Sequence, residues 1–194
     1  RSCFSGRLKI GVSLPSGIGI AAFIAAIFKR RNMKLLEDDL KCTQPMICEI
    51  NKDYVKYMQG FDWRVSMKFN RKFVGLAIRI NNRFYVVPLT SQTTAERVAR
   101  GKKKRSADIT TFIKVGGKEI ANLLHNNMFP VPRNQIRRIE IDPLVDTYLA
   151  NEHRQIRKNW VDINAKSISV YRNRNDKQAK NYQFLEKTCC DFKK

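Results

Sequence analysis

The stretch FVGLAIRI (residues 73–80), Asn81-Asn82 and RFYVVPL (83–89) sets two β-branched and aromatic runs on either side of two asparagines. Asparagine tolerates the positive φ that a two-residue hairpin turn demands, so this reads as an antiparallel hairpin. Pairing about the turn matches residues 71–80 with 83–91 and sets Lys72 opposite Ser91. Pro88 has no N–H to donate and is expected to mark where the second strand stops pairing. Thr90 and Ser91 then emerge at a strand end, where a rigid scaffold meets solvent.

Working outward, Ile47, Ile50, Tyr54, Tyr57 and Met58 suggest a short strand leading into a helix from about Asp53 to Gly60. On the far side, Gln92 to Asp108 reads as a polar loop carrying Arg97, Arg100, Lys102, Lys103, Lys104 and Arg105. A strand over Ile109 to Val115, a turn at Gly116-Gly117, strand or irregular chain over Ala121 to Leu124, extended MFPVP (128–132) and a strand over Arg137 to Ile141 follow. The last third is helical. Asp142-Pro143 supplies a cap and a first helical position, and Leu144, Val145, Tyr148, Leu149, Ile156 and Trp160 recur at helical spacing. Two further helices are expected over 162–171 and 177–192. Strands first and helices last predict an α+β fold, a twisted antiparallel sheet with helices packed against one side.

The 194 residues hold 38 Lys plus Arg against 17 Asp plus Glu, a formal charge of +21, with 43% hydrophobic residues. So apolar a chain buries a core, which excludes a disordered basic tail. The positive field therefore belongs to a folded surface, suited to nucleic acid first, an anionic membrane second and an acidic protein third. Cys3, Cys42, Cys48, Cys189 and Cys190 form no CxxC pair, and His125 and His153 stand alone. Reduced thiols, a cytoplasmic protein and no zinc site are expected.

Residues 1–45 differ from the rest. GVSLPSGIGIAAFIAAIF (11–28) is uncharged and flanked by Lys9 and Lys29-Arg30-Arg31, but it is borderline in length for a membrane span and diluted by Pro15, serines and glycines. Gly17, Gly19 and Ala22 echo a dinucleotide fingerprint, yet the chain lacks the strand and helix alternation that would make it one. The expectation is a leader over 1–45, membrane-associating, non-native or upstream sequence, and a single domain over 46–194.

No GxSxG, Walker loop or HExxH occurs, and no acidic cluster suits divalent-metal chemistry. RNA cleavage needs none of these. The 2′-hydroxyl of RNA is its own nucleophile, so the protein must align it with the neighbouring phosphate and stabilise the added charge. Thr90 and Ser91, with Arg71 or Lys72 at the start of the preceding strand, form a plausible set. The bland alternative is a Thr-Ser turn pair on an RNA- or DNA-binding regulatory protein without catalysis.

ICEINKDYVKYMQGFDWRV from Ile47, RKFVGLAIRINNRFYVVPLTS, DITTFIK, NNMFPVP, YLANEHRQI and YQFLEKTCCDF, in this order, resemble the ToxN/AbiQ family of type III toxin-antitoxin endoribonucleases over residues 46–194. The resemblance implies a sheet-based fold like the small barrel-like RNA-cleaving toxins and metal-independent cleavage that leaves a 2′,3′-cyclic phosphate. It implies catalytic roles for Thr90 and Ser91 at the phosphate or 2′-hydroxyl, for Arg71 in holding transition-state charge, and for Tyr54 in base stacking or phosphate contact. Lys72 and Lys114 become candidate RNA contacts beside Lys102, Lys103, Lys104 and Arg105; which of Arg71 and Lys72 faces the site stays open. No cofactor is implied. The implied partners are a repeated, pseudoknotted RNA antitoxin, processed by the toxin that it inhibits in a closed protein-RNA assembly, and cellular or phage RNA as substrate in abortive infection.

Overall fold

The computed structural model describes residues 44–65, 73–173 and 176–192. Arg71, Lys72 and the apolar run 11–28 lie outside the described residues.

Seven strands form an antiparallel sheet: β1 (Met46–Ile50), β2 (Phe73–Ile80), β3 (Arg83–Thr90), β4 (Thr110–Val115), β5 (Lys118–Leu124), β6 (Phe129–Pro130) and β7 (Ile136–Arg138). The order is β4-β5-β3-β2-β1-β7, with β6 also pairing β3. The hairpin turn stands as expected, but its ladder pairs 75–80 with 83–88 rather than 71–80 with 83–91. Asn81 and Asn82 both adopt positive φ, 48° and 61°, and the register runs from Ile80 opposite Arg83 to Gly75 opposite Pro88.

Pro88 does not end the strand. Beyond it β3 changes partner, and Leu89 and Thr90 pair with Leu123 and Asn122 of β5. A proline needs only its N–H side left unpaired, and here one ladder hands over to another at that point. Gly75 lies opposite Pro88 for a steric reason: a Cβ there would stand 2.3 Å from Val86 Cγ1 and 2.8 Å from the Val87 carbonyl oxygen.

Helices cover both faces of the sheet rather than one. On the first face, Met46, Cys48, Ile50, Phe73, Ala77, Phe84 and Val86 pack with Tyr54, Val55 and Met58 of α1 (Lys52–Gln59) and with Leu185 and Cys189 of α5 (Asp176–Asp191). On the second, Ile47, Leu76, Ile78, Tyr85 and Val87 pack with Ile156 of α3 (Thr147–Lys158) and with Ile163 and Tyr171 of α4 (Trp160–Arg172). The inner strands carry apolar side chains in both directions, so each face needs a cover.

Two local expectations change. Residues 94–99 form a helix, α2 (Thr94–Ala99), started by a reciprocal capping box between Thr93 and Glu96. Asp142 caps only a turn, accepting from Leu144 N at 2.8 Å. Helix α3 begins at Thr147 with Asp146 as its cap, accepting from Leu149 N at 2.8 Å. The later start leaves Leu144 and Val145 94% and 84% exposed instead of packed. Cys48, Cys189 and Cys190 are free thiols. No helix among the described residues is long and apolar enough to cross a membrane.

Candidate active site

A depression of about 630 Å³ opens at the end of β3. Pro88, Leu89, Thr90, Ser91 and Gln92 form one wall, and Arg97, Arg100 and Arg105 contribute positive charge. Asp146, Tyr148, Leu149 and Glu152, from the start of α3, contribute another wall.

The hydroxyl pair is held by its own backbone and by β5. Thr90 Oγ1 accepts from Gln92 N at 3.2 Å, which leaves its proton free to donate. The Gln92 carbonyl accepts from Asn122 Nδ2 at 2.8 Å and from Arg105 at 3.1 Å, and a second Arg105 nitrogen reaches Gln92 Oε1 at 3.2 Å. Glu119 completes the brace, accepting from Thr94 N at 2.5 Å and from Asn122 Nδ2 at 2.8 Å. Asn122 Oδ1 is buried without a hydrogen-bond partner. Residues 90–94 are thus fixed to both a strand and the basic segment, so Ser91, itself exposed, stands on a rigid edge.

The charges of the cleft are uneven. Burial, and then the neighbouring Arg97, lower the Arg105 pKa, with Glu119 opposing. Arg64 on the rim is already matched by Asp62, at 2.7 Å. Glu152 is only 4% exposed, and burial, reinforced by Asp146, pushes its carboxyl up to about 7 despite a hydrogen bond with Tyr148. Tyr148 donates to the Ile120 carbonyl oxygen, and burial beside Glu152 pushes its hydroxyl up to about 12. Glu152 is therefore a carboxyl that exchanges its proton near neutrality, in the same cleft as a hydroxyl pair and three arginines.

The sequence-derived candidates divide accordingly. Thr90, Ser91 and Arg105 line the cleft, whereas Lys102, Lys103 and Lys104 are exposed and Lys114 is exposed on β4, none of them among the lining residues. Tyr54 must be corrected: it is fully buried, its hydroxyl donates to the Pro130 carbonyl oxygen at 2.7 Å, and its ring meets Phe192 edge-on at 5.2 Å. Burial drives its pKa far above the usual tyrosine value. A ring without exposed surface stacks on no base and touches no phosphate, so Tyr54 is a core residue.

Of the two isolated histidines, His153 is half-buried and His125 is a core residue too. Its Nδ1 meets Ser167 Oγ at 2.8 Å and its Nε2 meets Thr111 Oγ1 at 2.9 Å. Ser167 donates to the Ile163 carbonyl oxygen, so Nδ1 carries the proton of a neutral ring. Burial, with Lys166 nearby, holds this imidazole down at about 4.

Sequence reasoning missed Arg97 and Arg100 as individual candidates, although the Thr93-x-x-Glu96 capping signature placed them a helical turn apart. It also missed Glu152, whose signal was an acid at a buried position between Leu149 and Ile156. Among the described residues, no three His, Cys, Asp or Glu side chains converge as a metal site.

Known proteins share this architecture. The chain is 28% identical over 163 residues to the endoribonuclease ToxN of Bacillus thuringiensis subsp. kurstaki, a match covering 77% of this chain and 80% of the relative. Its fold is similar to that of AbiQ, a lactococcal anti-phage endoribonuclease of a type III toxin-antitoxin system, with a TM-score of 0.64 at 20% identity, over 76% of this chain and 96% of that one. It is also similar to a type III system structure in which a non-coding RNA pseudoknot selectively inhibits the toxin, with a TM-score of 0.62 at 22% identity, over 76% and 97% of the two chains. The family model for the toxin ToxN of type III toxin-antitoxin systems matches residues 46–194, and with the whole described fold inside that match, the chain belongs to the ToxN toxin family.

Proposed function

We propose that this ToxN-family endoribonuclease toxin cuts RNA in the cleft beside Thr90 and Ser91 by attack of the substrate's own 2′-hydroxyl. The observation that carries the reading is the pairing of a fixed hydroxyl edge with Arg97, Arg100 and Arg105 in one depression. The 2′-oxygen attacks the adjacent phosphorus, its proton passes to a base, and the 5′-oxygen leaves with a proton, giving a 2′,3′-cyclic phosphate. Thr90 and Ser91 donate to the phosphate or orient the 2′-hydroxyl, and the arginines offset charge on the pentacoordinate phosphate. Arg71 or Lys72, just ahead of β2 in the sequence, adds positive charge, and Lys72, Lys114 and Lys102 to Lys104 draw the polyanion to the surface. No step calls on a metal.

The same cleft processes a repeated RNA antitoxin whose product stays bound and inhibits the toxin in a closed protein-RNA assembly in the cytoplasm; cellular or phage RNA is cut when that RNA is lost. The inhibiting pseudoknot described for the related toxin supports this reading. Residues 46–194 form the toxin domain and residues 1–45 a leader that cleavage does not need.

Incubating the protein with mixed-sequence RNA in excess EDTA tests the proposal. Discrete cuts ending in cyclic phosphate, lost in Thr90→Ala/Ser91→Ala, are expected. Folded protein that binds RNA but leaves it intact would instead make this a binding module.

A further inference from the structure

We propose that a second, arginine-lined groove on the other side of helix α3 binds the backbone of RNA flanking the segment in the cleft. This rests on reading the cleft as an RNA site.

The groove encloses about 480 Å³ and is lined by Arg138, Ile139, Pro143, His153, Arg154 and Arg157, among others. It adjoins the cleft directly. Ile139 lines both depressions, and α3 contributes Tyr148, Leu149 and Glu152 to one and His153, Arg154 and Arg157 to the other. One helix, about 10 Å across with its side chains, separates them, so a strand leaving the cleft needs only a few nucleotides to reach the groove.

Its charge is unbalanced. Three guanidinium groups face a single acidic lining residue, Glu140. Arg154 reaches Asn151 Oδ1 at 3.3 Å, and neither Arg154 nor Arg157 forms an ion pair with a described carboxylate. His153 reports the same field: burial first, and then Arg157 and Arg138, lower its pKa although a hydrogen bond with the Pro45 backbone works the other way. Arg154 and Arg157, without an ion pair to a described carboxylate, repel one another, and that repulsion is relieved when a polyanion enters and releases its counterions. The planar guanidinium fork suits two phosphate oxygens at once.

The lining is also more than a charged rim. Ile139, Ile141, Pro143 and Ala150 place apolar surface among the arginines, which suits sugar and base faces between phosphates. A concave slot of this kind accepts an extended strand.

The test uses the full chain with Arg154→Ala/Arg157→Ala. Affinity for a single strand of about fifteen nucleotides is measured across a salt series in a Thr90→Ala/Ser91→Ala background, so the strand stays intact. Cleavage of an oligonucleotide of about three nucleotides, too short to leave the cleft, is measured in the otherwise unaltered chain. The arginine pair is expected to cost about tenfold in affinity for the long strand and to reduce the slope of log affinity against log salt by about 1.4, two contacts at about 0.7 each. Cleavage of the short oligonucleotide should change less than about twofold, with an unchanged melting temperature, since both arginines are exposed. An unaltered slope and affinity, or equal losses on short and long RNA, would overturn the proposal. So would an unaltered RNA slope with weakened binding to vesicles of anionic lipid, which would make the groove a membrane contact. Should the unaltered chain cut no RNA while the slope still falls, the cleavage reading fails and the groove stands.

Discussion

The two walls of the cleft are built in opposite ways. The hairpin wall is local: Asn81 and Asn82 turn the chain, β2 and β3 pair in one register, and Thr90 and Ser91 project where β3 ends. The helical wall is assembled at long range, because Tyr148 and Glu152 reach the cleft only once α3 has settled on the sheet, with Tyr148 donating to Ile120 of β5. The first wall offers fixed donors without a pKa near neutrality; the second offers a carboxyl that titrates there. On the proposed reading the strand side stabilises phosphate charge, and the helix side supplies the pH sensitivity.

The comparison breaks most severely at Gly75. The added methyl of Gly75→Ala would collide with the Val87 carbonyl of the facing strand, which moves only with the hairpin. A loss of about 3 kcal/mol is expected, read as a lower melting temperature together with lower cleavage activity. An unchanged melting temperature would mean that the hairpin wall is more plastic than its geometry implies.

Glu152→Gln sharpens the other side. The folded state raises this carboxyl from 4.5 to about 7, so it holds its proton more tightly than the unfolded chain does. Its contribution to stability is full below about pH 4.5 and is lost as pH rises through about 7. The glutamine variant should therefore be the more stable protein near pH 8, by about 3 kcal/mol, and match the parent near pH 4. It should also flatten any cleavage pH profile that turns near 7. His125 sets the opposite slope: its folded pKa, about 4, lies below the ordinary 6.5. The stability it carries is present above about pH 6.5 and lost as pH falls toward 4. Retained alkaline loss in Glu152→Gln would place its source outside this wall.

Arg105→Ala removes a cation shared by the hairpin edge and the basic segment. RNA affinity should fall about fivefold and the salt slope by about 0.7. Tyr54→Phe has the smallest expected effect, about 1 kcal/mol of stability from the unmet Pro130 carbonyl, with cleavage within about twofold. A hundredfold loss of cleavage with stability retained would return Tyr54 to the site.

Legibility in the sequence follows the same division. The hairpin turn, its register over 75–80 and 83–88 and the Thr90-Ser91 edge were readable because turn residues and strand alternation act over a few positions, whereas the handover of Leu89 and Thr90 to β5 was not, being a long-range pairing. The start of α3 was not: Asp142-Pro143 offered a good cap, but Asp146 offered another, and packing on the sheet chose between them. Tyr54 was misread because a buried tyrosine and an exposed one look alike in sequence until the partner of the hydroxyl is known; here that partner, Pro130, is 76 residues away. Within the basic run, Arg105 lines the cleft while Lys102, Lys103 and Lys104 do not, because Gln92 and Asn122 tie one end of the segment down. The charge pattern pointed to a polyanionic partner, and tertiary bonding decided which charges line the cleft.

The central claim is that the hydroxyl edge performs chemistry rather than binding. The most direct measurement is the single-turnover cleavage rate of Ser91→Ala at saturating protein, beside its RNA dissociation constant at the same salt. A rate loss of about a hundredfold or more with affinity held within about threefold is the predicted result. Equal loss of rate and affinity, or an unaltered rate, would contradict it.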